Sequence, residues 1–143
     1  MTKIQILKLK KLCKELGLEY GEVAEEVRVD NRDFEIGDYR FIHENDIDKI
    51  TADEIGDDVY MLGCFNADFI ADNTDLSYDI VEALQQGGQY EALGNHIIDN
   101  DYLDDFVQAY ISADGYGNHF GRYDGNEIDD ILACLGYYVF RIN

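Results

Sequence analysis

The sequence predicts an α+β fold: a small antiparallel sheet, made of an early hairpin and a C-terminal hairpin, packed with several short helices. Three observations lead there. Phe34 and Ile36, then Tyr39 and Phe41, alternate across Gly37-Asp38, which is a hairpin pattern. Tyr137-Tyr138-Val139-Phe140-Arg141-Ile142 is an aromatic and β-branched run that reads as a strand. Between these, residues 57–98 carry apolar side chains at helical spacing. With 143 residues, no Pro, no repeats and no low-complexity linker, the simplest organisation is one domain over 1–143. Its parts are a basic amphipathic helix (1–17), a hairpin with a short helix (18–56), a helical stretch (57–113) and a C-terminal hairpin (114–143).

The elements follow in order. Ile6, Leu9, Cys13 and Leu16 share one face of a helix from about Lys3 to Leu16, stopped by Gly17. Tyr20, Val23, Ala24 and Val27 suit a second helix, while Val27-Arg28-Val29 also suits a strand. After the hairpin, Asn45 or Asp46 caps a short helix carrying Ile47 and Ile50, and Thr51 with Glu54 matches a capping box before Gly56. Helices are expected from Tyr60 to about Ala71, from Ser77 to Gln86 with Ile80, Val81 and Leu84 inward, and from Tyr90 to Ile98 with Tyr90, Leu93 and Ile97 inward. Asp75 and Ser77 are candidate caps. Leu103, Phe106, Val107, Tyr110 and Ile111 then form the stripe of a further helix, with Asp101, Asp104 and Asp105 on another face. Glycines and turn formers from Asp114 to Gly125 bracket a short strand around His119 to Tyr123, which would pair with the C-terminal run.

Charge narrows the function. The chain carries a formal net charge of -20, yet its 11 Tyr, 7 Phe and 46% apolar residues mark a folded protein rather than a disordered acidic tail. Residues 1–18 set Lys3, Lys8, Lys10, Lys11 and Lys14 against Glu15 alone, whereas residues 51–143 set Arg122 and Arg141 against 19 acids. A chain this poor in bases is no direct nucleic-acid binder, because phosphate contacts need Lys and Arg. A basic protein surface is its natural complement. The N-terminal lysines would meet an acidic partner or, as the plainer reading, the acidic remainder of the same molecule. Cys13, Cys64 and Cys134 have no CxxC spacing and point to neither a disulfide framework nor zinc, which fits a reducing cytoplasm. Neither a signal-peptide pattern nor a membrane-spanning apolar run is evident.

Tests for chemistry come back weak. Asp114-Gly115-Tyr116-Gly117-Asn118 departs from a calcium loop, with Tyr116 at the third position and His119 at the sixth. Gly115, Gly117 and Gly121 do not make a dinucleotide fingerprint. His43, His96 and His119 are isolated, and paired carboxylates can be picked almost anywhere among 31 acids. No cofactor, metal or catalytic residue is expected. Display of carboxylates is the better reading: Asp outnumbers Glu, and its shorter side chain holds charge close to the backbone with less freedom to lose. The candidate partner-binding acids are Asp99, Asp101, Asp104, Asp105, Asp124, Asp129 and Asp130. Tyr102 and Tyr116, with Tyr110 and Tyr123, are candidate anchors beside them. Competing readings are an acid-rich domain of a halophile-like protein, a housekeeping interaction module, and a weak metal-binding enzyme.

Asp114-Gly115-Tyr116-Gly117, His119-Phe120, Tyr123-Asp124-Gly125-Asn126-Glu127 and Tyr137-Tyr138-Val139-Phe140-Arg141 resemble the ending of small acidic proteins of phages and mobile elements. Tyr39-Arg40-Phe41-Ile42 and Leu62-Gly63-Cys64-Phe65-Asn66 have a similar character, so the likeness spans between a third and a half of the chain. In charge and size the whole is similar to DNA-mimic inhibitors of host defence, of the anti-CRISPR or anti-restriction type. The resemblance implies a stoichiometric inhibitor in the host cytoplasm that occupies the basic groove of a nucleic-acid-binding complex, with no catalysis and no membrane.

Overall fold

The computed structural model describes residues 1–128 and 135–143. Where the sequence reads as a single domain, the chain gathers into two compact units: a sheet unit from Met1–Ile47 with Asp114–Asn143, and a helical unit from Asp48–Ala113. The α+β class holds, with an antiparallel sheet built from both hairpins.

The sheet unit contains α1 (Lys3–Leu16), α2 (Tyr20–Arg28), β1 (Asp33–Ile36), β2 (Tyr39–His43), α9 (Tyr116–Phe120), β3 (Glu127–Ile128) and β4 (Tyr137–Arg141), with strand order β1-β2-β4-β3. Register puts Phe34 opposite Phe41, Phe41 opposite Val139 and Val139 opposite Ile128, so one row of apolar side chains crosses one face. That face packs on Leu9, Leu12 and Cys13 of α1 and Val23 of α2. The opposite face carries Ile42, Tyr138 and Phe140. There α9 lays Phe120 on Phe140 at 5.2 Å and Tyr116 on Tyr138 at 5.1 Å. A helical i, i+4 pair thus meets a strand i, i+2 pair.

α1 starts and stops as its sequence requires. Thr2 and Gln5 form a reciprocal capping box, and Gly17 closes the helix at φ 70. The ambiguous segment after it is helical to Arg28. The strand expected around His119 to Tyr123 is absent: those residues form the end of α9 and a turn, and the partner of β4 is Glu127–Ile128 instead. The glycines explain the difference. A Cβ on Gly117 would come within 2.7 Å of the backbone at Gly125, Asn126 and Glu127, so this segment is a helix turn pressed onto a loop.

The helical unit contains α3 (Ile47–Asp57, which starts at the boundary), α4 (Val59–Gly63), α5 (Ala67–Asp72), α6 (Tyr78–Gln86), α7 (Tyr90–Asp99) and α8 (Leu103–Asp114, which ends at the boundary). Its core joins Leu62, Ile70, Val81, Leu93, Ile97, Phe106 and Val107. Phe65, Phe69, Phe106 and Tyr110 form an aromatic group in which Phe65 stacks on Phe69 at 5.9 Å and the other contacts are edge-to-face at 4.8 to 5.4 Å. The stripe expected on α8 is the one that faces this core.

Three expectations fail in this unit. The helix from Tyr60 to Ala71 is two helices, because Asn66 accepts the Asp68 N–H at 2.9 Å and starts α5 afresh. Thr51 and Glu54 lie inside α3 rather than at its start, and Thr51 is completely buried. Ile80 faces outward, 50% exposed, while Val81 carries the packing of α6.

Candidate functional site

The carboxylates sort by unit. Within Asp48–Ala113 the sequence has fifteen acids and one base, Lys49, and every one of those acids is exposed or partly exposed. Among the described residues, the only carboxylate near Lys49 by ion pairing is Asp53, at 3.9 Å. The unit is therefore a small apolar core whose surface is rich in anions and poor in bases.

Asp99, Asp101, Asp104 and Asp105 are all exposed and come together at the corner between α7 and α8. Their local settings differ. Asp104 and Asp105 lie in the first turn of α8, where the helix dipole favours an anion. Asp99 is the last residue of α7, at the end where the dipole disfavours one by about 0.3–1 kcal/mol. Asp101 closes α7 in a Schellman turn: its N–H donates to the Ile98 carbonyl at 3.3 Å, and the Tyr102 N–H donates to that of Ile97 at 3.0 Å. The residue in that position adopts φ 60, a left-handed conformation that glycine fills most easily. The equivalent turn after α6 uses Gly88 at φ 74. Two of the four corner acids thus sit where the backbone gains nothing from a carboxylate.

A polar cluster holds the corner in place. The Asn100 amide nitrogen donates to the His96 carbonyl at 2.9 Å, and the same nitrogen faces His96 Nδ1 at 3.2 Å. Nδ1 therefore accepts, and Nε2 carries the proton given to Asp75 Oδ1 at 2.6 Å. The His96 hydrogen bond, followed by a backbone hydrogen bond at Asp75 itself, holds the Asp75 carboxyl below the usual carboxylate range. Asp75 is thus a tie across the unit rather than the helix cap expected of it; Ser77 caps α6 by accepting the Ile80 N–H at 3.3 Å. Tyr102, half-buried with its ring 6.1 Å from His96, supports the corner.

The other candidates belong to the sheet unit. Asp124 is exposed and accepts the Asn126 N–H at 3.0 Å, an Asx turn leading into β3. Tyr116 is half-buried against Tyr138. Asp129 and Asp130 lie outside the described residues. The stretch from Asp99 to Asp130, continuous in sequence, is divided between the two units.

The fold also recruits acids that sequence proximity does not flag. Asp48 and Asp53 of α3 join Asp104 of α8 around a cleft of about 470 Å³, floored by Ala52 and Val107. Positions more than 50 residues apart share no local pattern, so only packing reveals this group. Among the described residues, no three His, Cys, Asp or Glu side chains are grouped closely enough to hold a metal ion, and no helix is long and apolar enough to cross a membrane. No family model, curated protein or solved structure matches the chain.

Proposed function

We propose that the chain is a stoichiometric, non-catalytic inhibitor of the phage type that acts in the host cytoplasm. It imitates DNA and blocks a nucleic-acid-binding defence complex, with CRISPR effectors ahead of restriction enzymes. The observation that carries this reading is the α7–α8 corner: Asp99 and Asp101 occupy positions where helix physics disfavours or ignores a carboxylate, within a unit that has fifteen acids and one base. Helix capping accounts for Asp104 and Asp105, but not for these two. A groove built to grip phosphates presents Lys and Arg, and carboxylates on a rigid frame satisfy the same donors.

The test is competition. Labelled duplex DNA is bound to each of a panel of CRISPR effectors and restriction endonucleases, and displacement by the protein is followed by fluorescence anisotropy as salt is raised. A target should lose DNA at near-equimolar protein in low salt and regain it as salt screens the contact. Asp101→Asn with Asp104→Asn and Asp105→Asn should weaken displacement about tenfold or more while the fold persists. Asp101→Gly separates function from stability, since it should raise stability by about 1 kcal/mol and still weaken displacement. Full activity in both variants, or no displacement from any member of the panel, would reject the reading.

A further inference from the structure

The lysine-rich helix α1 has two faces with different fates. Leu9, Leu12 and Cys13 are buried against the sheet, whereas Ile4 and Leu7 on the other side are each 66% exposed. Spacing puts Ile4, Leu7, Lys8, Lys11 and Lys14 on one stripe. Among the described residues, none of the α1 lysines is within ion-pair distance of a carboxylate. The lysines of a chain with net charge -20 therefore do not neutralise it through direct ion pairs of this kind. Two bare aliphatic side chains framed by cations make a docking surface of defined chemistry.

The complementary surface is in the same sequence. On α4, Tyr60 and Met61 are 49% and 55% exposed, and Cys64 is exposed one turn later. Tyr60 lies with its ring 5.2 Å from that of Tyr90, so this apolar face is packed against α7. Asp57 and Asp58, both exposed, flank it, and Asp58 is oriented by accepting the Met61 N–H at 3.0 Å. An aliphatic pair rimmed by lysines thus has as its counterpart an aromatic and Met surface rimmed by aspartates.

We infer that the outer face of α1 docks onto the α4 face of a second copy of this chain, a head-to-tail contact. The local charges attract over less than the screening length of about 8 Å at physiological salt, while the repulsion between two acidic chains acts over longer distances and is screened. A lipid surface is the poorer occupant, because the larger apolar face of α1 is already committed to the core and leaves only a narrow one.

Sedimentation of the full chain at 0.15 M salt over a concentration series tests the contact. The wild type should associate as concentration rises. Lys8→Glu with Lys11→Glu, and separately Asp57→Lys with Asp58→Lys, should each weaken association about tenfold or more. Mixing the two variants restores opposite charge at both possible contacts and should recover association, a rescue that misfolding cannot produce. Circular dichroism checks that each variant folds. A wild type that stays monomeric throughout, variants that associate as the wild type does, or a mixture that remains monomeric would overturn the inference. So would binding of α1 to phosphatidylserine vesicles by a chain that never self-associates.

Discussion

Gly94→Ala tests the tightest crossing in the helical unit. A Cβ placed on Gly94 overlaps the Val59 carbonyl oxygen, and one placed on Gly63 overlaps the Tyr90 carbonyl oxygen. α4 and α7 therefore touch backbone to backbone, with a glycine from each at the contact. The atom struck is main chain and cannot rotate aside, so the helices must separate. A gap of roughly 1 Å forfeits up to about half of the dispersion well for each atom pair across the crossing. Overpacking of this kind costs about 3 kcal/mol. The better helix propensity of alanine returns roughly 1 kcal/mol. The net loss is about 2 kcal/mol, or roughly 30-fold in the folded-to-unfolded ratio. Urea unfolding followed by the helical circular dichroism signal reads this directly. Gly63→Ala should behave alike, and the double variant should lose less than the sum, because the first alanine already opens the gap. Gly21→Ala in α2 is the control: its Cβ meets nothing within 4 Å, so it should be neutral or stabilising by up to about 1 kcal/mol. A Gly94→Ala protein with an unchanged or raised urea midpoint would refute the reasoning.

Tyr137→Phe removes a hydroxyl that donates to the Asn31 carbonyl at 2.6 Å, joining segments 106 residues apart, and should cost about 1 kcal/mol at pH 7 by urea unfolding. Burial pushes the Tyr137 hydroxyl above its ordinary value, so its contribution is present below about pH 10 and is lost as pH rises through the raised value. The wild type should therefore lose its advantage over the Phe variant in alkali. Asp75 titrates in the opposite sense: its lowered carboxyl contributes stability above about pH 4 that disappears as pH falls through the depressed value. His96→Ala should flatten that acid limb in thermal melts between pH 6 and pH 2; an identical acid limb would show that the His96 hydrogen bond does not set it.

Periodic features were legible from residues alone. The buried stripe of α8, the capping box and glycine stop of α1, and the hairpin at Gly37-Asp38 each depend on neighbours within a few positions, where spacing and backbone preference decide the outcome. The acidity of the middle of the chain is likewise a matter of composition. The segment around His119 to Tyr123 reads as strand because alternating aromatics and glycines suit either state, yet it holds the end of α9 and a turn. Its helix is selected by Tyr138 and Phe140, which receive its two rings, and by a loop that admits only glycine at Gly117. Asn66 divided a helix that periodicity joined, since one side-chain hydrogen bond resets the chain direction without altering the apolar pattern.

Sequence by itself determined that this protein is a folded, acid-rich α+β chain, because burial periodicity and net charge are sums over local residues. Tertiary structure decided which acids share a surface. It set Asp48 and Asp53 beside Asp104, left Asp124 to the other unit, and gave Asp101 a glycine's place in a turn. Those arrangements depend on contacts between distant segments, whose closure is governed by packing and not by any pattern written along the chain.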